Sequence, residues 1–333
     1  MLDARSRARL FDYEHALDQP FTFWVAAALA VLLVVALVVI AALRATERIG
    51  AESYRELMRR TQSWCVLVPL LLAPVLAGAF WTISGIAILG IFSFREFARV
   101  VGLAAETRVM WCVQIAIVLV ALASLDHWYA FFMALVPLGA VAIAAVAILN
   151  DQPKGYVLRV ALGVWGFLLF GSALAHLGYL ANDWAYRPII ILVVLSVELN
   201  DIFAYCCGKL FGHHKLAPQT SPNKTVAGAL GALALTTLVV SFVGRMVFAE
   251  APLNQTPYLI GLGLTISLLG QLGDLMLSSV KRDVGVKDMG ELIPGHGGLL
   301  DRFDSLLLVA PAVFHYVNYF RGVGMNEPTR IFF

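Results

Sequence analysis

Residues 278–304 read SSVKRDVGVKDMGELIPGHGGLLDRFD. Lys281, Arg282 and Lys287 precede a Pro-Gly-His-Gly-Gly turn at 294–298 that contains His296, and Asp301, Arg302 and Asp304 follow it. Each part has a use in handling phosphates. Lysine and arginine neutralise phosphate oxygens. Glycines let the backbone approach a ligand closely. Carboxylates hold a hard divalent cation that bridges phosphates. A solvated loop between two helices accounts for charge here but not for this order.

Two further groups lie upstream. The stretch 196–212, SVELNDIFAYCCGKLFG, ends an apolar run and carries Glu198, Asn200 and Asp201. A carboxylate inside a membrane costs about 2.5–3.5 kcal/mol on insertion scales, so such residues are functional-site candidates by default. On a helix Glu198, Asp201 and Tyr205 share one face. The alternative is that Asp201 lies in the interface, where it costs little. The next stretch, 213–231, holds Lys215, Ser221, Asn223, Lys224 and Thr225 just before another apolar run. These side chains and a helix N-terminus are suited to a phosphate chain. His213 and His214 are adjacent and point apart on a helix, which argues against a metal pair. Asp274 precedes Lys281 by seven residues, so both fall on one helical face, and Asp301 and Asp304 share a face if a helix begins near Leu299. Asp304 alone is also readable as a helix cap.

The elements that must position these residues are transmembrane helices. The chain has 333 residues, 60% hydrophobic and 14% charged, against about 25% charged in soluble domains. Apolar runs of spanning length occur at 22–43, 63–80, 82–98, 108–125, 129–149, 157–180, 187–206, 226–247, 257–277 and 304–321. The fold expected is therefore an all-α polytopic transmembrane bundle of about ten spanning helices. The runs 63–80 and 82–98 form either a tight hairpin or a re-entrant pair. Four regions follow: 1–62, with the first span and a basic linker; 63–185, a membrane bundle; 186–322, carrying the candidate site; and the tail 323–333. Putting the 44–62 loop inside leaves Arg5, Arg7, Arg9, Arg187, Arg245, Arg321 and Arg330 outside and the other seventeen of 24 cations inside. By the positive-inside rule this puts both termini outside and the 207–224 and 278–304 loops in the cytosol. Residues 44–62 read as a polar helical extension or as a solvated linker. Four cysteines lack metal-ligand spacing, and no cleavable signal is evident. No internal repeat of the kind that builds transporters is visible.

The sequence resembles the CDP-diacylglycerol synthases (phosphatidate cytidylyltransferases). Their C-terminal motif is matched by Ser278, Lys281-Arg282, Lys287-Asp288, Pro294, His296-Gly297-Gly298 and Asp301-Arg302-Phe303-Asp304. A second block is matched by Asp201, Ala204-Tyr205, Gly208-Lys209, Phe211-Gly212, Lys215-Leu216-Ala217-Pro218, Ser221-Pro222 and Lys224-Thr225. Two departures stand out. The family's Trp-Glu-Gly after Lys-Thr is Val226-Ala227-Gly228 here, and its Glu before the motif serine is Leu277. Both replace an acid, which fits a divergent paralogue.

The resemblance implies a cytidylyltransferase joining CTP and phosphatidate into CDP-diacylglycerol and pyrophosphate for phospholipid biosynthesis. Asp274, Asp301 and Asp304 would ligate Mg²⁺, alone or with a second cation. Lys281, Arg282, Lys287 and Arg302 would neutralise the triphosphate. Lys215, Ser221, Lys224 and Thr225 would bind a second phosphate group, Asp201 would position a ligand or add to the metal shell, and His296 would donate from the turn. Asp274, Lys281, Asp301 and Asp304 form the catalytic set. The expected partners are CTP, phosphatidate or a related lipid, membrane lipids and a second copy in a homodimer, with no nucleic acid. The expected location is a bacterial cytoplasmic membrane. The alternatives are a transferase on another lipid, such as a polyprenol kinase, and an ion-coupled transporter using Glu198, Asp201 and Asp274.

Overall fold

The computed structural model describes residues 3–290, 297–322 and 330–332. His296, with Glu291 and Pro294, lies outside the described residues. The described chain is helical apart from one short hairpin. In lipid every backbone N–H and C=O must be satisfied within the protein, which leaves an apolar chain of this kind little choice but helix.

A short helix α1 (Ala4–Leu10) is followed by α2 (Pro20–Ala45), α3 (Ala51–Ala77), α4 (Ala79–Val100), α5 (Thr107–Leu125) and α6 (Tyr129–Ile148). Next comes a rod, Tyr156–Asn182, made of α7 (Tyr156–Gly166), a π-helical segment (Phe167–Ala173), α8 (Leu174–Tyr179) and a final 3₁₀ turn. Helix α9 (Tyr186–Phe211) leads into strands β1 (Lys215–Ala217) and β2 (Ser221–Thr225). Helices α10 (Val226–Val247), α11 (Thr256–Asp283), α12 (Leu300–Phe303) and α13 (Leu306–Arg321) complete the chain.

Among the described residues, eight helices are long and apolar enough to cross a membrane. The protein is a multi-pass membrane protein. Two of the ten expected spans fall outside these eight. The run 82–98 is the helix α4, whose last turns carry Arg95, Glu96 and Arg99. The run 304–321 gives α13, only 16 residues long, because Asp304 and Ser305 separate it from α12. The polar stretch 51–62 is helical and continuous with the apolar part of α3. The corner between α3 and α4 is Gly78 at φ 123°. A Cβ there would sit 2.4 Å from the Leu10 carbonyl oxygen, so glycine lets α1 lie directly on the hairpin.

One hydrophobic core runs from Leu10 to Val317. At its centre Phe132, Tyr179 and Phe314 are fully enclosed. His176 packs edge-on against Phe132 and Phe314 with its Nδ1 2.8 Å from the Ser172 carbonyl, a packing role. Helix α13 thus reaches into the N-terminal bundle.

Four of the seven arginines assigned to the outer face meet partners at one end of the bundle. Arg9 bonds Asn182 and the Leu125 carbonyl. Arg187 pairs with Asp12 at 3.1 Å and Arg321 with Asp183 at 3.1 Å. Arg330 pairs with Asp126 at 2.9 Å, and Asp126 also accepts from the Ile331 and Phe332 N–H groups at 2.8 Å each. Both terminal segments are therefore tied to the same end, the one where α9 and α13 respectively begin and end.

Candidate active site

The opposite end of α9 carries Asn200 and Asp201. Asn200 is completely buried. Its Oδ1 accepts from Ser267 Oγ of α11 at 2.5 Å and from Thr236 Oγ1 of α10 at 3.2 Å. An amide shared by three helices fixes their rotation, because in lipid its alternative is an unsatisfied polar group. Asp201 is the next residue, so this interior lock also sets where Asp201 emerges.

The hairpin turns the chain back onto this end. Lys215 pairs with Thr225 and Ala217 with Ser221. Thr225 is buried and its Oγ1 accepts from the Gly228 N–H at 3.1 Å, capping α10. A Cβ at Gly228 would lie 2.5 Å from the Ala204 carbonyl oxygen, so α10 starts in backbone contact with α9. The cap places Lys224 where it forms an ion pair with Asp274 of α11.

The last turns of α11 present Asp274, Ser278 and Lys281 on one face, with Ser278 Oγ donating to Asp274 Oδ1 at 3.2 Å. Arg282 Nε donates to the Thr220 carbonyl at 3.2 Å and its guanidinium to the Val286 carbonyl at 3.2 Å. Arg282 thus holds the hairpin tip on α11. Lys281 pairs with Asp301 at 2.9 Å, with side chains 11% and 4% exposed. The other Asp301 oxygen accepts from the Met289 and Gly298 N–H groups at 2.8 and 3.0 Å. Asp304 is buried, and its Oδ1 accepts from the Ser305 N–H at 2.8 Å.

The structure brings most of the expected residues into one charge cluster. Asp304 lies within Coulombic range of Asp274, Asp201 and Lys281. Asp201 lies within Coulombic range of Asp274, Lys224 and Arg302, and Glu198 within that of Asp201 and Arg302. Lys215 and Lys287 are exposed. Ser221 is half-buried on β2.

Three expectations change in detail. The set Asp274, Asp301 and Asp304 does not converge as ligands: among the described residues no three His, Cys, Asp or Glu side chains group closely enough to hold a metal. Asp301 has both oxygens committed to cationic and N–H donors, so it is a buried anchor. Asp201, Asp274 and Asp304 lie within Coulombic range of one another. Thr225 and Arg282 have structural partners: Thr225 caps α10 and Arg282 holds the hairpin tip on α11. Leu277 is 1% exposed and packs in the hydrophobic core, so apolar neighbours surround the position the family gives to an acid.

Sequence reasoning missed Glu96. It is buried on α4 and accepts from the Leu299 and Leu300 N–H groups at 3.0 and 2.8 Å. The signal was present: Glu96 lies in an apolar run, the same criterion that singled out Glu198.

Residues 58–320 match the model of a family described as the cytidylyltransferase family. The chain is 30% identical over 283 residues to the uncharacterized protein YnbB of Escherichia coli (strain K12), covering 83% of this chain and 91% of that protein. It is 47% identical over 122 residues to a phosphatidate cytidylyltransferase of Staphylococcus aureus (strain COL), covering 37% of this chain and 46% of that enzyme. A phosphatidate cytidylyltransferase of Staphylococcus saprophyticus is 48% identical over 122 residues, with the same coverage. The match thus spans less than half the length of those enzymes. The family match covers most of the chain and includes every described residue of the charge cluster: this protein belongs to the cytidylyltransferase family.

Proposed function

We propose that the protein transfers the cytidylyl group of CTP to phosphatidate, forming CDP-diacylglycerol and pyrophosphate. The observation that carries this reading is the convergence of Lys224, Lys281 and Arg302 with Asp201, Asp274 and Asp304 at one end of α9, α10 and α11. A non-bridging oxygen of the lipid phosphate attacks the α-phosphorus of CTP. The bond from the α-phosphorus to the β-phosphate oxygen breaks, and pyrophosphate leaves with that electron pair. The attacking oxygen is already anionic, so no general base is needed. Two polyanions must meet, so catalysis rests on preorganised charge. Lys281 and Arg302 neutralise the triphosphate and the departing pyrophosphate. Lys224 exchanges its Asp274 partner for a phosphate oxygen, with Lys215, Ser221 and Lys287 at the rim. Asp274 and Asp304, with Asp201 beside them, would hold Mg²⁺, which would supply Lewis-acid polarisation of the phosphates.

The test is pyrophosphate release by detergent-purified protein given CTP, phosphatidate and Mg²⁺. Mg²⁺-dependent release supports the reading, and CTP binding without release removes phosphatidate as the acceptor. A second reading keeps cytidylyl transfer but changes the acceptor lipid. It follows from the extent of the likeness to the phosphatidate enzymes, which covers 37% of this chain. Release with another phospholipid in place of phosphatidate decides between the two.

A further inference from the structure

Glu96 belongs to α4, in the N-terminal half of the chain, yet its carboxylate ends between the stretches 289–290 and 297–301. Oε1 accepts from the Leu299 N–H at 3.0 Å and Oε2 from the Leu300 N–H at 2.8 Å. The fit around it is tight. A Cβ on Gly290 would lie 2.6 Å from Oε1, and one on Gly298 would lie 2.8 Å from Oε2. Both glycines therefore let these two stretches close around this one carboxylate. Asp301 does the complementary job from within, accepting from the Met289 and Gly298 N–H groups. Two carboxylates thus hold four backbone N–H groups, of Met289, Gly298, Leu299 and Leu300. A buried carboxylate without such donors is costly, and buried N–H groups without acceptors are costly too. The two stretches and Glu96 each require the other.

We propose that Glu96 is a positioning residue for cytidylyl transfer: it fixes the 297–301 backbone, and through Asp301 it fixes the Lys281 ammonium. The chain of contacts is continuous, from Glu96 to the Leu299 and Leu300 N–H groups, to the adjoining Asp301, to Lys281 at 2.9 Å. Glu96 touches no substrate in this scheme. It also couples the N-terminal bundle to the site, which gives the upstream helices a role in catalysis beyond membrane anchorage. This inference rests on the proposed reaction only for its kinetic arm.

The test is Glu96→Gln in nanodiscs, compared with wild type and with Ser93→Ala. Ser93 is a buried residue of the same helix whose hydroxyl has no hydrogen-bond partner among the described residues. Glutamine keeps the shape but can accept with only one terminal atom, so one N–H group faces an N–H donor. Hydrogen–deuterium exchange at Met289, Gly298, Leu299 and Leu300 should quicken at least tenfold, with α9–α10 amides unchanged. Turnover per folded enzyme should fall at least tenfold at saturating CTP, while Ser93→Ala stays within twofold of wild type. If Glu96→Gln does not fold, Gly290→Ala presses on Oε1 and should give the same two effects. Unchanged exchange in the folded variant overturns the clamp. Faster exchange with unchanged turnover overturns the positioning role. An inactive wild type removes the proposed reaction but leaves the exchange arm to decide the clamp by itself.

Discussion

Asp301→Asn tests the most enclosed pair in the site. Lys281 and Asp301 sit 2.9 Å apart with side chains 11% and 4% exposed, and the second carboxylate oxygen takes two N–H donors. Asparagine preserves the volume and removes the charge. Its amide nitrogen must then face either the Lys281 ammonium or the N–H groups of Met289 and Gly298, a donor against donors in either orientation. Removing one member of a buried pair costs about 3–5 kcal/mol. If about 3 kcal/mol of that appears in the barrier, because Lys281 no longer points at the developing pyrophosphate, turnover falls more than about a hundredfold. The assay is pyrophosphate release per folded enzyme at saturating CTP and lipid, with folding checked by thermal unfolding in detergent. Lys281→Met should fall similarly. The double variant should lie within about fivefold of the worse single one, because residues acting through one contact do not add. Asp301→Asn turnover within threefold of wild type would refute the argument that this pair orients the catalytic lysine.

Three further outcomes are expected. Leu277→Glu, which restores the family's acid, should lower the unfolding temperature without raising turnover, since a buried carboxylate carries a penalty of several kcal/mol; higher turnover at unchanged stability would return that acid to the site. Asn200→Leu should cost about 1–2 kcal/mol by removing the acceptor shared by Ser267 and Thr236, read as a lower unfolding temperature, and a stability equal to wild type would show that the three helices are held by apolar contacts alone. Chelation by EDTA should abolish pyrophosphate release and added Mg²⁺ should restore it, whereas Asp304→Asn should raise the Mg²⁺ concentration needed for half-maximal rate; a chelation-insensitive rate would detach the carboxylate cluster from metal binding.

The outcome at particular residues shows what a linear reading can reach. Lys281, Asp274 and Asp304 were legible because their order and spacing are themselves the signal, and helical periodicity already puts Asp274 and Lys281 on one face. Their shared end of the bundle was legible as well, because the alternation of apolar spans and cationic loops assigns loops to sides. The β1–β2 hairpin was not. Its eleven-residue span from Lys215 to Thr225 has no alternating pattern strong enough to set it apart from loop. Asp301 was assigned to a metal because a carboxylate's type is visible in sequence but its donors are not. Glu96 was passed over because its partners lie about two hundred positions away and are backbone N–H groups, which every residue possesses.

The sequence by itself determined the membrane fold, since a chain this apolar must satisfy its backbone in helices. It also determined the inventory of charges, because no neutral packing requirement would order two lysines, two arginines and three aspartates in this way. Only the tertiary structure decided which of those charges are committed to one another. It made Asp301 an anchor for Lys281, turned Arg282 and Thr225 to shaping the hairpin, buried Leu277 in the core and brought Glu96 across from α4. Those assignments depend on distances between helices far apart in the chain. Such distances follow from side-chain packing and close glycine contacts, which a one-dimensional pattern does not encode.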